Sequence, residues 1–298
     1  MYRDRWGVEP ICRVLQFAPS TYYAARRRPV SARAAADAVL KVQVLRVFEE
    51  NYSCYGIEKM WRQLAREGIT VGRDRVARLM RELGIAGVVR AKKKRTTFPA
   101  VGVERPADLV RRVFSAPAPN RLWVADLTYV PTVTGFAYVA FVTDAFSRAI
   151  VGWAVSSSLR AELALDALDM AIWERADHDG GLAGLVHHSD RGSQYLSIRY
   201  TDRLSLSRAA NSVGSKGDSY DNALAESINS LYKAELIGRR VWGTTAQVEL
   251  ATGAWVHWWN HRRLHSACDH RPPAEYEAAW AAAQPTAPTT TPTTARAS

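Results

Sequence analysis

The sequence is poor in cysteine. Its 298 residues include three cysteines, Cys12, Cys54 and Cys268, which lie far apart in the chain and are odd in number. Such a set can build neither a disulfide framework nor a paired-cysteine zinc clamp. We therefore expect a protein of a reducing compartment, the cytoplasm.

Long apolar runs are also absent. The sequence contains no stretch of about eighteen apolar residues, the length that a membrane-spanning helix needs. The first ten residues, MYRDRWGVEP, carry charges where a signal peptide would need an apolar segment. We therefore expect no membrane partner and no export.

Acidic residues are fewer than basic ones. The chain has 29 Asp and Glu against 40 Lys and Arg, which gives a formal net charge of +11. An excess of positive charge on this scale favours a polyanionic partner, and nucleic acid is a better candidate than no partner at all.

The N-terminal part has a helical pattern. Apolar residues recur at helical spacing in three successive stretches, the last of which is GRDRVARLMREL, residues 72 to 83. This predicts a three-helix, helix-turn-helix module whose third helix exposes Arg73, Arg75 and Arg78 to DNA phosphates. A solvated face of a structural helix is the alternative for each of these arginines. The unpatterned basic segment that follows contributes four more candidate DNA contacts: Lys92, Lys93, Lys94 and Arg95.

The pattern changes to strands after Asn120. Three β-rich runs, 122–130, 136–144 and 148–156, predict an antiparallel meander, and alternating helices and strands follow them. This order predicts the α/β fold class, with a mixed sheet of three antiparallel strands plus parallel strands, flanked by helices. The predicted segments are a short helical N-terminal segment (1–35), the helix-turn-helix module (36–90), a basic linker (91–119), the α/β core with C-terminal helices (120–280) and a disordered tail (281–298).

Three acidic residues have placements that suit a metal site. Asp126 lies within the apolar strand LWVADLTYV, where an unpaired charge would be costly, and Asp190 ends the strand LAGLVHHSD. Glu226 lies on a predicted helix, in a polar stripe with Asn222 and Asn229. Carboxylates that converge from two strands and a helix suit a hard divalent cation such as Mg²⁺, and two such ions would serve an in-line displacement at phosphorus.

The adjacent His187 and His188 suggest a different site. Neighbouring residues on a strand point to opposite faces, so these two imidazoles are poorly placed to bind one ion. A Ser189-His188-Asp190 triad is poorer still, because neighbours in a strand cannot form the hydrogen-bond relay. We expect Asp190 to be the working residue of this stretch.

Several motifs together resemble a known family. The run WVADLTYV, the turn SDRGSQY, the thirty-five residues between Asp190 and Glu226, the helix SYDNALAES and the segment WNHRRLH are similar to the DDE transposases of bacterial insertion sequences. The similarity is greatest to the insertion sequence three family, in the product of its second reading frame, whose catalytic core is related to retroviral integrases. It extends over roughly residues 36 to 280.

The resemblance implies a fold and an activity. Asp126, Asp190 and Glu226 would be the catalytic and metal-binding triad on a ribonuclease H-like fold, with two Mg²⁺ ions and Mn²⁺ as a substitute. The activity would be DNA strand cleavage and strand transfer at the ends of a bacterial insertion sequence, carried out by a DNA-bound homo-oligomer near the nucleoid. It also implies a fusion or complex with the product of an upstream frame. The family's late motif falls on Asn260, Arg263 and His265, which with Lys216 and Asn222 complete the candidate DNA contacts.

Two alternatives to a transposase remain. A ribonuclease H-like nuclease would share the triad but would cut without joining. A catalytically inert DNA-binding regulator would use the helix-turn-helix module alone.

Overall fold

The computed structural model describes residues 2–89, 115–176, 182–190, 192, 194–213 and 222–284. Lys92, Lys93, Lys94, Arg95 and Lys216 lie outside these ranges, as do most of the predicted linker and the predicted tail from residue 285 onward. None of the described helices is both long enough and apolar enough to cross a membrane.

Six helices form the N-terminal part. They are α1 (Tyr2–Trp6), α2 (Val8–Val14), α3 (Pro19–Arg27), α4 (Ala32–Glu50), α5 (Ile57–Arg66) and α6 (Arg73–Glu82). Helices α4 to α6 pack around a shared apolar core, as the helical spacing predicts, whereas α1 to α3 bury a single residue, Cys12. Helix α4 begins four residues before the predicted module because the hydroxyl of Ser31 caps it, accepting from the amide of Ala34 at 3.2 Å.

The rest of the described chain forms a mixed sheet and its covering helices. The strands are β1 (Leu122–Thr132), β2 (Gly135–Asp144), β3 (Ile150–Ser156), β4 (Val186–Ser189) and β5 (Ala210–Val213). The helices are α7 (Ala161–Arg175), α8 (Ile198–Leu206), α9 (Ala223–Glu235), α10 (Thr245–His261) and α11 (Pro273–Ala282).

The strand order is β3-β2-β1-β4-β5. Strands β1, β2 and β3 pair antiparallel, while β4 runs parallel to β1 and β5 parallel to β4. This confirms the predicted fold class, an antiparallel meander extended by parallel strands in a ribonuclease H-like sheet.

Helices cover both faces of the sheet. On one face α7 and α8 pack against inward residues such as Trp123 and Val142. On the other face α9 and α10 share one apolar cluster with helices α4 to α6, so the N-terminal module packs directly on the core. The hydrogen bonds across this junction include two buried ones: the Tyr55 hydroxyl accepts from the amide of Leu264 at 2.8 Å, and the Trp258 indole donates to Asn51 at 3.1 Å.

Candidate active site

The register of two parallel strands brings the first two acidic residues together. Ala125 on β1 pairs with Ser189 on β4, and the next residue of each strand is Asp126 and Asp190 respectively. Since neighbouring strands lie about 4.8 Å apart, the two aspartates stand side by side where β4 ends. The sequence placed both on strands, and the sheet order makes them neighbours.

Helix α9 is fastened over this point by two asparagines. The Asn222 amide group donates to the carbonyl of Ala125 at 3.0 Å, and the Asn229 amide group donates to Asp126 Oδ2 at 2.9 Å. Glu226 lies between these two residues on the helix and is half-buried. The three acidic residues predicted from the sequence therefore come together near the end of β4, beside the central strand β1.

The two aspartates have different surroundings. Asp126 is half-buried and accepts from the amide of Leu127 at 2.9 Å as well as from Asn229. Asp190 has the more exposed surface of the two, and its carboxylate accepts from the amide of Gly192 at 2.9 Å. A Cβ atom on Gly192 would stand 3.1 Å from Asp190 Oδ1 and 2.9 Å from Gln194 Oε1, so a larger residue would have to push the Asp190 carboxylate aside by a few tenths of an ångström.

The acidic residues interact electrostatically. Burial, the charge of Asp190 and the charge of Glu226 together raise the pKa of Asp126 to about 7, against the hydrogen bonds from Leu127 and Asn229. The pKa of Asp190 is also raised, first by desolvation and then by Glu226, while the amide of Gly192 opposes the shift. The three carboxylates therefore form one electrostatic unit that carries excess negative charge.

This donor set suits a hard divalent cation. Carboxylate oxygens are the ligands that Mg²⁺ takes in proteins, and a cation would relieve the repulsion that raises the pKa of Asp126. Within the described residues, however, no three His, Cys, Asp or Glu side chains already stand as a ready-made ligand group.

Both histidines of the strand are internal. His188 hydrogen-bonds Ser212 Oγ at 2.9 Å, and His187 hydrogen-bonds the hydroxyl of Tyr200 at 3.0 Å. Burial lowers the pKa of His187 to about 3, so this imidazole is neutral. The two rings serve the packing of β4 on opposite faces, as expected for adjacent strand residues.

The arginines of the helix-turn-helix module are partly engaged within it. Arg75 and Arg78 reach the carboxylate of Asp37 on α4, at 2.7 Å and 2.6 Å. Arg73 is exposed and lies 3.7 Å from Glu58. Two of the three predicted DNA contacts thus brace α6 against α4, and DNA contact by all three stays a prediction.

The late motif supports the core. Asn260 donates to the carbonyl of Ile150 at 2.8 Å and accepts from its amide at 2.9 Å, which fastens α10 to β3. Arg263 is buried, pairs with Glu235 and lies over the ring of Trp259, while His265 is buried beside it. The structure does not bring these residues to the carboxylates, and DNA contact by them stays a prediction.

Asn229 is a site residue that sequence reasoning missed. The polar stripe with Asn222 and Glu226 was the available signal, because a residue one turn beyond Glu226 must share its face of the helix. The hydrogen bond from Asn229 to Asp126 depends on how α9 crosses β1. The polar stripe alone does not predict that orientation.

Comparisons with known proteins agree with this architecture. Models of the integrase core domain match residues 116–219 and 208–273, and a model of the HTH-like domain matches residues 34–93. The transposase for insertion sequence element IS629 of Shigella sonnei is 52% identical over 283 residues, covering 93% of this chain and 94% of that protein. The putative transposase for IS986/IS6110 of Mycobacterium tuberculosis is 53% identical over 268 residues, covering 89% and 96%.

A solved structure shows a more distant likeness. The HTLV-2 integrase catalytic core domain in complex with magnesium matches 54% of this chain and 98% of that chain, at 15% identity and a TM-score of 0.40. A likeness this distant adds nothing on function. At 52% identity over nearly the whole length of both chains, the relative from Shigella sonnei is decisive. The chain belongs to the insertion sequence three family of DDE transposases, the DNA polynucleotidyl transferases with an HTH-like domain and an integrase core.

Proposed function

We propose that this transposase cleaves DNA at the ends of its insertion sequence and joins the freed end to a second DNA site, with Asp126, Asp190 and Glu226 as the catalytic residues. The observation that carries the proposal is the convergence of these three carboxylates at the end of β4, where burial, together with the charges of Asp190 and Glu226, raises the pKa of Asp126 to about 7. Clustered carboxylates destabilise a folded protein, so such a cluster is typical of a functional site, where the negative charge has a use such as binding a cation.

The three carboxylates would hold Mg²⁺. When bound, Mg²⁺ would supply Lewis-acid stabilisation of charge at the phosphorus and would activate the attacking oxygen, as a pair of ions with Mn²⁺ as a substitute. The hydrogen bonds from Leu127 and Asn229 hold the Asp126 carboxylate in place, and the amide of Gly192 holds that of Asp190.

The proposed reaction has two displacements at phosphorus. A water oxygen attacks a phosphodiester at the element's end, the P–O bond to the 3′ oxygen breaks, and that oxygen leaves as a 3′ hydroxyl. The hydroxyl then attacks a second phosphodiester, forming a new P–O bond and releasing another 3′ hydroxyl. No covalent bond to the protein forms at any point.

The partners follow from the same proposal. The HTH-like domain supports binding of double-stranded DNA, and joining two DNA sites favours a homo-oligomer assembled on DNA near the bacterial nucleoid. A fusion or complex with the upstream-frame product would supply further recognition of the element's ends.

Strand cleavage and joining on labelled DNA that carries the ends of the host element test the proposal. With Mg²⁺, we expect the native chain to nick and join this DNA and Glu226→Gln to bind it without reaction. Glu249→Gln, at an exposed position on α10, is the matched control and should react like the native chain. Cutting without joining would instead favour a nuclease, and metal-independent binding without cutting, even with the upstream product added, would favour a regulator.

A further inference from the structure

A cleft opens at the junction of the helix-turn-helix module and the catalytic core. It has a volume of about 610 Å³ and is bounded by the start of α5, by α9 and by the chain that follows α10. We refer to it as the junction cleft. Its lining includes Lys59 from the module and Arg148 from the turn between β2 and β3, and neither residue was singled out in the sequence.

Positive charge converges on this cleft. Burial lowers the pKa of His265 in the cleft wall well below its ordinary value, and the charges of Arg263, Lys59 and Arg148 lower it further. Three cationic side chains from separate parts of the chain therefore act on the His265 imidazole. Of the two carboxylates in the lining, that of Glu235 is paired with Arg263, and that of Glu58 is engaged by arginines outside the cleft.

Arg148 is held in a partly buried position. Burial lowers the pKa of its guanidinium, although Cys268 and Asp144 act to raise it. A cation held where water is scarce gains more from a neighbouring anion than one in bulk solvent does. Apolar side chains such as Ile57 and Leu231 complete the walls, and they suit the sugar and base surfaces of a nucleotide.

The cleft and the acidic site lie on the same helix. Leu224, Ser227 and Leu231 of α9 line the cleft, and Glu226 precedes Ser227 directly. A helix with its side chains is about 10–12 Å wide. Consecutive phosphates of one strand rise about 3.4 Å along the axis of duplex DNA, so the width of α9 corresponds to roughly three base-pair steps of rise.

We infer that the junction cleft binds backbone phosphates of the DNA strand that runs from the acidic site toward the helix-turn-helix module, with Lys59 and Arg148 as the contacts. The inference rests on the proposed function for the identity of the strand. It assigns a DNA contact to the cleft itself, between the two domains.

The salt dependence of DNA binding in EDTA tests this without requiring catalysis. DNA carrying the element's ends is titrated with the native chain, with Lys59→Gln/Arg148→Gln and with Arg160→Gln. Arg160 is exposed at the start of α7, on the opposite face of the sheet, and its replacement removes one charge outside the cleft. We expect the double variant to flatten the slope of log K against log salt by about 1.8 and to lose on the order of tenfold in affinity per phosphate contact at about 0.1 M salt. A slope for the double variant equal to that of Arg160→Gln overturns the inference.

A second measurement needs no variant. Acylation of Lys59, followed by mass spectrometry of the native chain in EDTA, should slow at least several-fold when the DNA is present and should be unchanged by a neutral nucleoside. Equal rates with and without DNA contradict the inference, even where the variants fail to fold. Because metal is absent throughout, a chain that binds in this way but never cleaves DNA would refute the proposed function alone.

Discussion

Replacing Asp126 by Asn should make the metal-free protein more stable at alkaline pH. The pKa of this carboxyl is about 7 in the folded chain, against about 3.9 for an aspartate in an unfolded chain. Between these values the folded state holds more protons than the unfolded state, so the free energy of unfolding falls as the pH rises. The difference of about 3 pKa units corresponds to about 4 kcal/mol at pH 8, and the loss is absent below about pH 4.

The substitution removes this titration and keeps the local hydrogen bonds. The side-chain oxygen of the new Asn can still accept from Leu127. The amide of Asn229 can turn to accept from the new Asn, because its Oδ1 has no hydrogen-bond partner among the described residues. Because about 1.5 kcal/mol of this loss is already present at pH 5, the variant should gain about 2.5 kcal/mol relative to the native chain between pH 5 and pH 8.

Urea unfolding in EDTA at pH 5 and pH 8, followed by tryptophan fluorescence, measures this gain. A thermal scan should show it as a relative rise in Tm of roughly 5 °C. Asp166→Asn, at an exposed position on α7, is the control and should change the free energy of unfolding by less than about 0.5 kcal/mol at either pH. Parallel pH profiles for the native chain and Asp126→Asn would refute the electrostatic reasoning.

Three further substitutions test individual contacts. Asn229→Leu removes the donor to Asp126, so Mg²⁺ affinity measured by calorimetry should fall about 10-fold to 100-fold, and unchanged affinity would contradict a positioning role. Gly192→Ala places a methyl group 3.1 Å from Asp190 Oδ1, so DNA cleavage should fall at least about tenfold while DNA binding in EDTA stays constant; a parallel fall in binding would point to misfolding instead. Tyr55→Phe leaves the buried amide of Leu264 without its acceptor, which should cost about 1–3 kcal/mol in urea unfolding, and an unchanged midpoint would show that this bond does not fasten the module to the core.

The acidic site was largely predictable because its members carry local signals. An aspartate in an otherwise apolar strand, an aspartate at a strand end and a glutamate on a polar helical stripe are each visible in the sequence. Their convergence depends on the order of the strands, since β4 must lie beside β1 for Asp190 to neighbour Asp126. The motif resemblance supplied that order, which spacing alone does not.

Contacts between side chains that are distant in the sequence could not be predicted from it. The stripe of arginines on α6 looks equally suited to DNA and to an internal partner, and only the packing of α6 on α4 shows that Asp37 engages Arg75 and Arg78. Lys59 and Arg148 line one cleft from two different domains, so no local pattern connects them. Strand β4 is also shorter than its apolar run, because Gly184 has a φ of 81° and turns the chain before Val186.

The most direct test of the account is proton release when Mg²⁺ binds. Calorimetric titration of the chain with MgCl₂ at pH 7, repeated in buffers of different ionisation enthalpy, gives the number of protons released per chain. Since the pKa of Asp126 is about 7, about half a proton should leave on binding, and both the release and the binding should be lost in Asp126→Asn. Mg²⁺ binding that releases no proton, or that survives this substitution, would contradict the assignment of these carboxylates as the metal site.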